Sequence, residues 1–154
     1  MFAENVEDAP SRGPDERVRD LEDRFAICEL KTRYFRAVDS HDWSLLESLF
    51  VPDATFSTGG APHSGAARWT EHVSKFMGDT WSAHHGHTPE ISLDGDVASA
   101  IWPMVGYLLR HSGSGYAQYG HYAETYQRTS DGWRISSLAV RHQREEHDLS
   151  SIAP

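Results

Sequence analysis

The 154-residue sequence is poor in cysteine, in basic residues and in long apolar runs. Its single cysteine, Cys28, excludes an intrachain disulfide and a thiolate metal cluster, which suits a reducing compartment. Fourteen Lys and Arg stand against 23 Asp and Glu, for a formal net charge of -9, with no basic run to offset it. Phosphate backbones and anionic lipid surfaces would therefore be repelled, so neither nucleic acid nor a membrane is expected as a partner. No apolar stretch approaches the roughly 18 residues of a spanning helix, and "MFAENVEDAPSRGPDER" has neither a basic n-region nor an apolar h-region. The expected location is the cytoplasm.

What is present is a 38% hydrophobic chain of one-domain size with 11% aromatic residues, enough for one core and an aromatic-lined pocket. Residues 1–14 are polar, carry two prolines and a glycine, and read as a flexible lead; a domain over 15–147 and a tail over 148–154 follow. From Pro14 the period is helical, with Leu21, Phe25, Ile27, Cys28, Leu30, Tyr34, Phe35 and Val38 in a wide buried arc. Lys31 falls in the same arc, so it must snorkel or find a partner. The helix should stop at "DSHDW", where Asp42 is placed to cap "WSLLESLF"; "SGAARWTEHVSKFMG" predicts a third helix ending at Gly78. "DATFS" reads as a strand. After Trp81 the period changes to strands parted by "DGD", "SGSG" and "SDG". Helices first and an antiparallel meander afterwards predict an α+β fold. Pro103, Gly106 and Ser136-Ser137 read as bulge or bend points that curl the sheet into a cone with a pocket inside.

The segment "WSAHHGHTPEI" puts three histidines into four positions. On a strand His84 faces one way and His85 and His87 the other, so the three cannot converge on one metal, and His63, His72, His111 and His121 show no helical His-x-x-x-His spacing. No metal is expected. Asp39 lies at the negative end of the first helix, where a carboxylate needs compensation. Either it hydrogen-bonds the backbone of the "DSHDW" corner, or it turns inward to orient an imidazole acting as a general base. Tyr34, five residues earlier, flanks the same buried arc, either as a core aromatic or as a pocket residue. His121 alternates with Tyr119 and Ala123 on one strand face.

"ELKTRYFRAVDSHDWSLLESLFVPDATF", "HHGHTPEISLDGDVASA" and "YQRTSDGWRISSLAVRH" together resemble the SnoaL-like branch of the nuclear-transport-factor-2-like superfamily, from about Arg17 to His147. The pattern is closest to bile-acid 7α-dehydratase-like proteins and more distant from scytalone dehydratase. The resemblance implies a cone-shaped barrel of strongly curved, mainly antiparallel sheet closed by three N-terminal helices. It also implies no cofactor and a homodimer or homotrimer. Family positions carry over to Asp39 and His84 as a catalytic pair, to Tyr34 as a third catalytic residue and to Arg141 on the last strand. Arg141, His121, Tyr119 and Trp102 are the candidate substrate contacts. An acidic residue of the bile-acid enzymes falls on Gly106, and tyrosines of the scytalone enzymes fall on Val38 and Thr58, so the chain departs from both patterns there. The expected function is cofactor-independent loss of water from a hydrophobic, cyclic, hydroxylated substrate, steroid-like or polyketide-like. Cyclisation or isomerisation in the same cone is the first alternative. A non-catalytic assembly subunit, like the small subunit of ring-hydroxylating dioxygenases, is the second.

Overall fold

A computed structural model describes residues 13–147. The expected lead and tail lie outside the described residues, save that Pro14 already opens the first helix. The chain order is α1 (Pro14–Asp39), α2 (Trp43–Ser48), β1 (Phe50–Ser57), β2 (His63–Ser64), α3 (Ala66–Met77), β3 (Trp81–Gly86), β4 (Glu90–Asp94), β5 (Val97–Leu109), β6 (Gly115–Thr129) and β7 (Gly132–Glu146).

Pro14 supplies the preset φ of a first helical position, and the Gly13 amide donates to Glu16 Oε2 at 3.1 Å. Of the predicted apolar arc, Ile27, Leu30, Tyr34 and Val38 are buried, whereas Leu21 and Phe25 are 67% and 66% exposed. The arc is narrower than its hydrophobicity suggests because polar side chains occupy part of the packed face: Asp23 and Lys31 are both buried. Asp23 accepts two bonds from Arg128 (2.8 and 2.6 Å) and one from Trp133 Nε1 (3.0 Å), which pins α1 to β6 and β7. At the corner His41 takes φ 55°, and Asp42 Oδ1 accepts from the Leu45 amide at 3.0 Å, capping α2.

The sheet order is β2-β1-β7-β6-β5-β3, with β4 also pairing β5. All pairs are antiparallel except β1 with β7. The sheet is therefore mixed and mostly antiparallel, and three helices accompany it, but it is not the expected strongly curved, cone-shaped barrel. Its two ends, the two-residue β2 and β3, are not paired with each other, so it stays open. The residues read as curling points explain the difference. Pro103 and Gly106 pair with His121 and Gln118 without any register shift. Pro103 instead marks the place where the neighbour of β5 changes from β4 to β3, and its carbonyl accepts from the His87 amide at 2.9 Å. Register shifts lie in β6–β7, one of them passing over Ser136 where a bulge is expected, and in β1–β7 between Phe50 and Thr55.

The core sits between the helices and one face of this sheet. Alternation on β5 buries Ala98, Ala100, Trp102, Met104 and Leu108, and Tyr122 and Tyr126 on β6 join them. No helix among the described residues is long and apolar enough to cross a membrane.

Candidate active site

The last turns of α1 and the strand β3 meet edge to face. Because side chains alternate along β3, Ser82 and His84 point toward α1 while His85 is turned out to solvent. Asp39, on the final residue of α1, receives all three available donors: Ser82 Oγ at 2.7 Å, the His84 ring Nδ1 at 2.6 Å and the His84 backbone amide at 2.8 Å. Burial pushes its pKa up, but the hydrogen bonds from the His84 ring and amide, the His84 charge and the Ser82 hydroxyl outweigh that and hold the carboxyl below its ordinary value. In the neutral imidazole, Asp39 as acceptor puts the proton on Nδ1 and leaves the lone pair on Nε2. Phe35 stacks on the imidazole, with centroids 6.2 Å apart and planes 7° from parallel, and fixes the ring plane.

His84 forms part of the wall of a cavity of about 530 Å³, together with Tyr34, Tyr122, Met104, Leu108 and Val140. Its far side carries Trp69 beside the imidazoles of His63 and His72, whose centroids lie 4.7 Å from each other and 5.8 and 5.7 Å from the indole. Gly106 pairs with His84 across β3–β5, and a Cβ there would come within 3.3 Å of His84 Cδ2 and 3.6 Å of Nε2. The missing side chain leaves the imidazole edge uncovered.

Behind the tyrosines lies a buried polar cluster. The Lys31 ammonium is 2.5 Å from Glu124 Oε1, both side chains being almost wholly buried. Burial pulls Lys31 down to about 8 against the raising influence of Glu124. Glu124 also accepts from the Tyr126 hydroxyl, which in turn accepts from Trp102 Nε1 at 2.8 Å. Burial, first, and then the neighbouring charges and hydroxyls push Tyr34 well above the usual phenol value, and burial and Glu124 raise Tyr122 as well.

The structure thus puts Tyr34 and His84 on the wall of one cavity, with Asp39 bonded to His84 without lining the cavity itself. It puts the other four sequence candidates elsewhere. Trp102 is buried in the Tyr126–Glu124 cluster, Tyr119 donates to Glu146 at 3.3 Å, and His121 and Arg141 are paired neighbours on β6 and β7; none of the four lines the cavity. His85 packs edge-on to Tyr107 and His87 is exposed. Among the described residues no three His, Cys, Asp or Glu side chains are grouped to hold a metal ion. Sequence reasoning missed Ser82, Tyr122, His63 and His72. Ser82 was the most accessible of these, since it shares the β3 face of His84.

Residues 19–139 match the SnoaL-like domain family. Among solved structures, an NTF2-like protein with a cystatin-like fold from Novosphingobium aromaticivorans is 26% identical, with a TM-score of 0.75 over 90% of this chain and 92% of that one. A hexachlorocyclohexane dehydrochlorinase, LinA type 2, is 19% identical with a TM-score of 0.80 over 90% and 97%. A candidate scytalone dehydratase from Novosphingobium aromaticivorans DSM 12444 is 17% identical with a TM-score of 0.74 over 88% and 91%. The last two likenesses show the fold alone. None of these findings reaches as fine as a bile-acid dehydratase. With most of its length inside that match, the chain belongs to the SnoaL-like domain family, within the nuclear-transport-factor-2-like superfamily.

Proposed function

We propose that the protein is a cofactor-independent acid–base lyase that removes water from a hydrophobic, cyclic β-hydroxy carbonyl compound. The observation that carries this reading is the 2.6 Å contact of Asp39 Oδ1 with His84 Nδ1 at the wall of a largely apolar cavity. Nε2 of His84 takes the proton on carbon next to the carbonyl, and the C–H electron pair moves onto the carbonyl oxygen as an enolate. When the C=C bond forms, the C–O bond to the hydroxyl breaks, and the imidazolium returns its proton to the departing oxygen as water. Asp39 stabilises the imidazolium, and the Tyr34 hydroxyl, kept protonated by burial, donates to the enolate oxygen. Base catalysis of this kind supplies roughly two to four orders of magnitude, so positioning by the cavity must supply more. Relatives in fold that are named for loss of hydrogen chloride and of water make elimination a reaction this fold can house. A steroid-like substrate follows from the bile-acid-like sequence pattern, with one change: Gly106 gives no acid beside His84, so the leaving hydroxyl has only the imidazolium as its proton source there.

The test is a panel of cyclic β-hydroxy ketones, steroidal and polyketide-like, followed by mass spectrometry for loss of water and by deuterium uptake from D2O at the carbon next to the carbonyl. At least one member should be dehydrated. Asp39→Asn should slow it by roughly two orders of magnitude or more, His84→Ala at least as much, and the double variant scarcely more than the worse single one. Losses that multiply, or full activity in His84→Ala, overturn the assignment.

A further inference from the structure

We propose that Lys31, anchored by Glu124, is a positioning residue that clamps Tyr34 and Tyr122 into a paired hydroxyl donor site for a substrate oxyanion. The inference rests on the acid–base reading above, since an oxyanion arises only where a proton has been taken, and it adds Tyr122 as the second donor and Lys31 as the group that places both.

The geometry is specific. The Lys31 Nζ lies 3.5 Å from the ring centroid of Tyr122, 4.0 Å from that of Tyr34 and 4.6 Å from that of Phe35. One ammonium therefore touches the faces of the two tyrosines that line the cavity beside His84 and of the phenylalanine that stacks on His84. The rings of Tyr34 and Tyr122 meet edge to face at 5.9 Å.

A lysine in this place needs a reason. Apolar side chains of similar volume would pack the same space without two charges to desolvate, so the pair is not explained by stability. A cation over aromatic faces in a desolvated site is held strongly and restrains the rings in rotation. The cation is also a near positive charge for anything negative held on the tyrosine oxygens. Glu124 fixes Lys31 and is itself fixed by Tyr126 and, through it, by Trp102. The chain of contacts runs from the core to the cavity wall and ends on two hydroxyls that burial keeps protonated.

Substituted phenols are suitable probes, because a bound phenolate presents the same oxygen as an enolate and needs no turnover. Affinities are measured by calorimetry at one pH for a set of phenols of similar shape and rising acidity. Wild type should bind them more tightly as acidity rises, and His84→Ala should do the same. Tyr122→Phe, which keeps the ring under the ammonium, should lose about tenfold in affinity for the most acidic member. Lys31→Met alone leaves Glu124 buried without its partner, so the decisive variant is K31M/E124Q, which keeps both shapes and removes both charges. Its dependence on acidity should flatten while its far-ultraviolet spectrum stays that of wild type. A purely structural pair would leave that dependence unchanged, and this result overturns the proposal. So do unchanged affinities in Tyr122→Phe, or wild type that ignores phenols altogether. Failure of the dehydration panel with the phenol pattern intact would instead overturn only the elimination reading.

Discussion

Asp39 uses both carboxylate oxygens on β3, and this makes it a stability residue as well as a candidate partner of the base. Its pKa is lowered in the fold relative to the unfolded chain. A depressed carboxyl contributes stability that is present above its unfolded value, near 4, and is lost as pH falls through the lower folded value. Denaturant unfolding of wild type and Asp39→Asn should therefore show a gap that is constant at neutral pH and narrows below about pH 4; a gap that persists undiminished to pH 3 would show that the charge is not stabilised in the fold. Local features of the sequence mark Asp39 and His84 out, while their pairing, and Tyr34 beside them, come from the family resemblance. Asp39 ends a helix with an acid where the dipole disfavours one, and strand alternation singles out His84 from its neighbours. The cluster behind it was not legible. Lys31 and Glu124 are 93 positions apart, and only the register of β6 against α1 brings them together. Trp102 and Arg141 show the opposite failure: Arg141, carried over from the family pattern, is turned away from the cavity by strand phase, whereas Trp102 shares the phase of Met104 and Leu108 but lies in the Tyr126–Glu124 cluster instead.

At the scale of the element, β3 is short and its usefulness depends on where Phe35 lies. Ser82, His84 and Gly86 share one strand face, so a side chain at residue 86 would stand beside the imidazole. A Cβ on Gly86 would meet Phe35 Cε2 at 2.6 Å and Cζ at 3.0 Å, with no room unless the ring moves. Gly86→Ala is thus expected to push Phe35 off the His84 plane, to cost about 1–3 kcal/mol as overpacking does, and to lower turnover more than that cost explains. Unfolding curves together with rates on any dehydrated substrate check this; unchanged rates in a destabilised protein would show that the stacking is dispensable. The same element shows why strand content was easier to read than sheet shape. Turn residues mark strand ends locally, and Asp42 marks its helix, but whether a sheet closes depends on its two edge strands. Here β2 has only two residues and pairs solely with β1, a fact that no local pattern near His63 announces. Likewise the apolar Leu21 and Phe25 follow the helical period and yet lie outside the packed face, because buried Asp23 and its Arg128 partner take that place.

At the scale of the whole molecule, the buried tyrosines tie the candidate site to global stability. Tyr34, Tyr122 and Tyr126 are half of the six tyrosines, and burial, first, raises all three, with Glu124 among the further causes in each. Such groups contribute stability that is fully present below the unfolded value of about 10 and is lost as pH rises toward their folded values, because the unfolded chain releases protons the folded one retains. Each costs roughly 1.4 kcal/mol per pH unit over that interval, so the three together remove about 4 kcal/mol per unit. Lys31 acts in the opposite direction at lower pH. Its folded value of about 8 lies below the unfolded one, so between about 8 and 10 it adds stability as pH rises. The expected profile is a shallow gain to about pH 10 and then a steep loss that exhausts an ordinary stability of 5–15 kcal/mol within about one to four units. Absorbance at 295 nm should follow it: the share due to Tyr34, Tyr122 and Tyr126 appears only in a single cooperative step that coincides with loss of circular dichroism. Tyr122→Phe should remove about a third of that late step. If instead all the tyrosine absorbance develops before the fold is lost, the hydroxyls at the cavity wall are open to hydroxide, and they are not the buried, protonated donors that both the elimination and the Lys31 clamp require.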